Sequence, residues 1–236
     1  VYDLTGVVQG VGFRPTFFRL AHEAGLGGWI QNRSGTVRVA LDGHPADIDT
    51  FMTALPGRLP PSARLRGCVC VQQWSIAPPS SPAAFVIRNS DAADPAGLVI
   101  PADLRLCPDC WREIVDPSNR RHGYPFTTCT NCGPRYTVIN GMPYDRERTT
   151  LARFPLCPDC RREYDDPSNR RFHAETIACP ACGPTLQLTD AAGRPIPGDP
   201  LRTARARLAA GAIVAVRGLG GYLLAADAGN RDTLTE

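Results

Sequence analysis

Eight of the ten cysteines in this 236-residue chain fall into two sets of paired Cys-x-x-Cys. Cys107 and Cys110 go with Cys129 and Cys132; Cys157 and Cys160 go with Cys179 and Cys182. In each set 18 residues separate the two pairs, and every cysteine of the second set stands 50 positions after its counterpart. From Cys107 to Pro134 and from Cys157 to Pro184, 16 of 28 positions are identical, so the stretch is an internal duplication. Four thiolates at this spacing close a tetrahedral shell, for which Zn²⁺ is the expected ion, with iron or an iron-sulfur cluster as the alternative. A closed shell leaves no open coordination position, so two structural sites are expected rather than zinc catalysis. A 28-residue unit is also too small to bury an adequate core, so the metal should carry much of its stability.

A second set of residues suggests anion chemistry. Gln9-Gly10-Val11-Gly12-Phe13-Arg14 follows a strand-like run and precedes a helical pattern. Glycines here permit backbone angles that turn successive amide hydrogens inward, and the helix N-terminus adds positive potential. Arg14 at the lip can fork onto phosphate oxygens. Gln9, Gly10, Val11, Gly12, Phe13 and Arg14 are therefore the candidate phosphate-binding residues.

The elements that must position this loop follow a regular plan. Tyr2 to Val8 reads as a strand, and Phe17, Leu20, Ala21 and Ala24 mark one helix face after Pro15. Gly28 to Gln31 and Thr36 to Leu41 read as a hairpin around Asn32-Arg33-Ser34-Gly35. A helix from Pro45 to Leu55 follows, then strands at Leu65 to Trp74 and Phe85 to Arg88. The order is β-α-β-β-α-β, the split βαβ arrangement of an α+β domain. His22 and His44 read as surface positions, and Cys68 and Cys70 as packed or idle thiols on one side of a strand.

Val8-Gln9-Gly10-Val11-Gly12-Phe13-Arg14, then Gly28-Trp29-Ile30-Gln31-Asn32 and Gly35 to Gly43, resembles the acylphosphatase family over about 90 residues. The resemblance implies a ferredoxin-like fold, a catalytic Arg14 that holds phosphate, and an Asn32 that positions the attacking water. An acyl phosphate has a good leaving group, so positioning and charge stabilisation suffice without a strong base.

The segment on the far side of the cysteines has a Pro/Gly-rich linker at 190–200, then a helix from Arg202 to Ala210 and a strand from Ile213 to Val216. Arg217-Gly-Leu-Gly-Gly-Tyr222 follows as a glycine-rich turn. The segment resembles the start of a YrdC-like nucleotide-binding domain through Gly-Leu-Gly-Gly-Tyr-x-Leu-Ala-x-Asp-Ala, departing from it at Arg217 and Leu223. Only 14 residues follow Tyr222, so the chain is expected to be the front part of a longer protein. The expected organisation is residues 1–90, an acylphosphatase-like domain; 91–140 and 141–189, two small four-cysteine zinc modules; and 201–236, the truncated start of an α/β YrdC-like domain.

Composition narrows the partners. The formal charge of +3 falls to about −1 once each four-thiolate zinc site adds about −2, so bulk attraction to nucleic acid is not expected. Arg120-Arg121 and Arg170-Arg171 read as charged turn surfaces, and His122 and His173 as solvated residues. No apolar run approaches about 18 residues, no signal peptide opens the chain, and paired Cys-x-x-Cys spacing suits a reducing compartment. A soluble cytoplasmic protein is expected.

The three parts in this order resemble the HypF family, carbamoyltransferases that mature nickel-iron hydrogenases. That resemblance implies hydrolysis of carbamoyl phosphate to carbamate and phosphate. ATP-dependent carbamoyl activation would follow in the full-length protein, with HypE as the partner. A zinc-dependent nucleic-acid-binding module and a general acylphosphatase are the alternatives.

Overall fold

The computed structural model describes residues 1–33, 35–74, 84–91, 99–218 and 221–235. Ser34, the proline-rich stretch at 78–82, most of the 91–95 boundary and two residues of the glycine-rich turn lie outside the described residues. The chain divides into two compact units, Val1–Gly183 and Pro184–Glu236.

The first unit begins with β1 (Tyr2–Val7), α1 (Phe13–Glu23), β2 (Gly27–Asn32), β3 (Thr36–Asp42), α2 (Pro45–Arg58), β4 (Arg64–Cys70) and β5 (Phe85–Ile87). The sheet order is β4-β1-β3-β2-β5. Strand β1 runs antiparallel to both neighbours, β2 and β3 form the expected hairpin, and β5 adds a parallel edge through Gly28 to Ile30. This is the ferredoxin-like α+β arrangement with one strand more than the minimal pattern.

Period-two alternation decides which face of β3 packs. Val37 and Val39 are fully buried, while Arg38 between them pairs with Asp3 on the opposite face at 2.6 Å. Both helices cover the Val37 face. Phe13, Phe17 and Leu20 of α1 and Phe51 and Leu55 of α2 join Leu4 and Ile30 in one core. Burying each such side chain contributes about 1.5–3 kcal/mol. Ala24, expected on the buried face, is the exposed C-cap of α1.

The cysteine modules follow in the same unit. Each opens on a short helix, α3 (Pro108–Val115) and α4 (Pro158–Asp165), with proline in the first turn. Between them Tyr136–Val138, Arg146–Arg148 and Thr150–Arg153 form single 3₁₀ turns. Phe18 on the outer side of α1 packs edge-on against Phe172 of the second module at 5.3 Å, and Arg19 donates to the Pro167 carbonyl at 3.4 Å.

The second unit contains α5 (Pro200–Ala209), a hairpin of β6 (Val214–Arg217) and β7 (Tyr222–Ala225), and α6 (Arg231–Thr235). Asp199 caps α5 by accepting from the Leu201 and Arg202 amides.

Candidate active site and metal centres

The loop between β1 and α1 takes the form its glycines permit. Gly10 and Gly12 have φ of 68° and 74°, left-handed values that L side chains rarely adopt, and Gly12 is the N-cap of α1. A Cβ at Gly10 would fall 2.7 Å from the Pro101 side chain, and one at Gly12 would fall 3.3 Å from Thr130. Backbone geometry and close neighbours thus both require glycine.

Gln9 fixes the loop to the hairpin. Its Nε2 donates to the Arg33 and Thr36 carbonyls at 2.5 and 2.9 Å, and its Oε1 accepts from the Tyr144 amide at 3.1 Å. Asn32, at the end of β2, lies beside that anchor and is 1% exposed. Its carbonyl accepts from the Asp91 amide at 2.9 Å. Its Oδ1 is buried and takes no hydrogen bond from any described residue. An orphan acceptor of this kind costs about 1–3 kcal/mol unless a donor reaches it.

Arg14 is buried in the first turn of α1. Nη1 donates to Ser90 Oγ at 3.3 Å, and Ser90 adjoins the Asp91 amide bound to Asn32. Arg14 and Asn32 are thus linked through the neighbouring residues Ser90 and Asp91, and Asn32 is not among the residues that line the cavity around the loop.

The remaining wall of this site comes from the cysteine modules. A cavity of about 20 Å³ is lined by Val8 to Gly10 and Gly12 to Pro15 of the loop and by Thr130, Arg135, Tyr144, His173 and Glu175. Arg135 is 2% exposed and spends its guanidinium on carbonyls, those of Gly10, Cys129, Thr130, Cys132 and Pro134. His173 is not a solvated residue. It sits at φ 51° against Phe172 and Tyr164, with ring centroids 4.6 and 5.1 Å away. Burial, with the charge of Arg14 adding to it, pushes its imidazole down to about 4. Burial also raises the Glu175 carboxyl, against the pull of Arg14.

These wall residues escaped the sequence reading, yet the duplication marks them. Thr130, Arg135, His173 and Glu175 are positions where the copies differ, standing opposite Pro180, Thr185, Gly123 and Pro125. A residue shared by both copies serves the pair of modules. One that differs serves whatever that module alone touches.

The eight cysteines form two four-sulfur clusters, each with all Sγ atoms within 4.8 Å of one another. Sulfur separations of 3.4–3.8 Å in the first and 3.7 Å in the second exclude disulfides. They match the edge of about 3.8 Å that four Zn–S bonds of about 2.3 Å give a tetrahedron. The residues present therefore fit a tetrahedral metal, and Cys68 and Cys70 stand apart as exposed thiols on β4.

The paired arginines are not a charged turn surface. Arg121 and Arg171 are 1% and 3% exposed, and each crosses to the opposite module. Arg121 pairs with Glu163 at 2.5 Å and donates Nε to the Ala178 carbonyl at 2.9 Å. Arg171 pairs with Glu113 and donates Nε to the Thr128 carbonyl at 2.9 Å. Arg120 lies 3.3 Å from Cys160 Sγ, and Arg170 lies 3.3 Å from Cys110 Sγ through two nitrogens. Although burial opposes it, the arginines hold Glu163 down to about 2. Each module thus supplies charged donors to the other's thiolates, which a lone module would leave with excess negative charge.

Fold and site together define an acylphosphatase-type enzyme domain walled by two four-cysteine modules. Residues 1–76 match the acylphosphatase family, and residues 106–139 and 156–189 each match the HypF finger. Carbamoyltransferase HypF2 of Cupriavidus necator is 48% identical over 231 residues, covering 97% of this chain and 28% of that protein. A crystal structure of full-length HypF in the phosphate- and nucleotide-bound form shares 34% identity. It superposes with a TM-score of 0.86 over 99% of this chain and 30% of that one. T. kodakarensis HypF superposes at 0.82 with 43% identity, over 99% and 29%. The chain belongs to the HypF family. It spans less than a third of the length of the carbamoyltransferase relatives it matches. No helix among the described residues is long and apolar enough to cross a membrane.

Proposed function

We propose that this chain hydrolyses carbamoyl phosphate to carbamate and phosphate. The Gln9 to Arg14 loop and the Arg14 guanidinium hold the phosphoryl group, and Asn32 orients the attacking water. The observation that carries this reading is the buried Asn32 Oδ1, an acceptor without a donor among the described residues, on the strand end to which Gln9 of the glycine-built loop is anchored. Water attacks phosphorus, and the bond from phosphorus to the carbamoyl oxygen breaks. Carbamate leaves with the bonding pair, and the water proton passes to phosphate or solvent. Because the leaving group is good, placement and charge compensation suffice.

The carbamoyl group enters this reading through the carbamoyltransferase name of the relatives, since the loop recognises only phosphate. In a full-length protein, carbamate would be activated with ATP and passed to HypE for the cyanide ligands of nickel-iron hydrogenase, in the cytoplasm. Zinc is the ion we assign to Cys107, Cys110, Cys129 and Cys132 and to Cys157, Cys160, Cys179 and Cys182. The modules are taken as 1–90, 91–140, 141–189 and 201–236.

Phosphate release from carbamoyl phosphate tests the assignment. Arg14→Ala and Asn32→Ala should each lower turnover on the order of 100-fold or more, with zinc content unchanged. Near-normal turnover in the folded Arg14→Ala protein would sink it. Equal rates with acetyl phosphate would instead make the chain a general acylphosphatase.

A further inference from the structure

Two carboxylates from the cysteine-module segment hold the arginine that the proposed reaction needs. Arg14 Nη2 donates to Asp145 Oδ1 at 3.0 Å, to Glu175 Oε1 at 2.9 Å and to the Tyr144 carbonyl at 3.3 Å. That nitrogen carries two hydrogens, so three acceptors already oversubscribe it. A forked grip on phosphate through both terminal nitrogens requires an Nη2 hydrogen. Phosphate and carboxylate therefore draw on the same donor.

The two carboxylates are held differently. Glu175 is built in: its side chain is 4% exposed, and its Oε2 accepts from the Tyr164 hydroxyl at 2.9 Å and the Arg146 amide at 3.0 Å. Asp145 is 24% exposed and has a second cation, Arg148, at 3.6 Å. It can give up Arg14 without losing every partner. The cavity, whose wall includes Glu175 but not Asp145, has a volume of about 20 Å³ and admits roughly one water-sized group. A phosphoryl group needs more room, so a wall side chain must yield to it.

We propose that Asp145 and Glu175 are positioning residues that compete with the substrate's phosphoryl group for the Arg14 guanidinium and so set how tightly the site takes phosphate. The inference rests on the reading of Arg14 as the phosphate-holding group. Competition of this kind weakens the hold on inorganic phosphate, a product that shares the substrate's anionic end. It favours product release at the cost of ground-state affinity.

The test compares the zinc-loaded chain with Asp145→Asn, Glu175→Gln and Arg14→Ala. It measures KM and kcat for carbamoyl phosphate and inhibition by inorganic phosphate. Each carboxamide variant should lower both KM and the phosphate inhibition constant by about threefold to tenfold, the scale of one weakened charge-assisted hydrogen bond, with a smaller change in kcat. An unchanged or raised KM, or a loss confined to kcat, would overturn the competition and leave the carboxylates as braces for Arg14. Should Glu175→Gln fail to fold, Asp145→Asn at the more exposed position carries the measurement. Arg14→Ala separates the two readings. If it raises KM and phosphate inhibition constant while the carboxamide variants move neither, competition alone fails. If it moves neither, the competition fails, and the assignment of Arg14 fails with it where turnover is also near normal.

Discussion

His173 shows how far a side chain's chemistry depends on what surrounds it. In sequence it is one histidine beyond the four ligands that each metal site needs. In the fold it stands in the left-handed region, packed between Phe172 and Tyr164 at the edge of the cavity, with Arg14 nearby. A group held at about 4 in the folded chain and near 6.5 when unfolded binds its proton more readily in the unfolded state. Its contribution is therefore present above about pH 6.5 and is lost as pH falls towards 4, on the order of 3 kcal/mol in all. His173→Asn suits the left-handed backbone and does not titrate in this range. Chemical denaturation of both proteins at pH 7, 5.5 and 4 should show a smaller loss of stability for the variant. Parallel losses would mean that other groups, the thiols first, carry the acid sensitivity.

At the scale of the element, the sequence revealed what local spacing encodes and hid what distance encodes. The hairpin, the glycine loop with Arg14 and both Cys-x-x-Cys sets depend on neighbours within a few residues, so they were legible as candidates, whereas Asn32 entered through the family resemblance. The crossing of Arg120, Arg121, Arg170 and Arg171 spans about 40 to 60 positions, and no periodicity announces it. The two modules consequently do not behave as independent beads. Arg170 belongs to the second module, but its two terminal nitrogens lie against Cys110 of the first. Removing a charged donor from the outer shell of a metal site typically costs 10–100-fold in metal affinity. Arg170→Ala should therefore weaken the first site, Cys107 to Cys132, by about tenfold or more, while the site in its own module keeps its metal. Chelator competition on Arg170→Ala and Arg120→Ala would show complementary fast-release phases. Weakening confined to each arginine's own module would refute the exchange.

Across the first unit, one arginine joins the first four-cysteine cluster to the glycine loop. Arg135 takes the carbonyls of Cys129, Thr130 and Cys132, which form the second knuckle of the first metal site, and the Gly10 carbonyl of the loop. Thr130 in that knuckle leaves no slack at Gly12. The knuckle holds its shape because four thiolates converge, and small modules of this kind draw most of their folding energy from the metal. The acylphosphatase core has an independent source of stability in the Leu4, Phe17, Ile30 and Val37 cluster. Stripping metal should therefore leave the five-stranded sheet intact while releasing the loop that Arg135 tethers. The expected result is retained β-sheet circular dichroism with phosphate release lowered about tenfold or more, since a misplacement near 1 Å costs about 100-fold. Arg135→Ala should reproduce the loss with both metals bound, because it cuts the tether and spares the thiolates. Full turnover in metal-stripped protein would show that the cysteine modules merely accompany the hydrolytic domain.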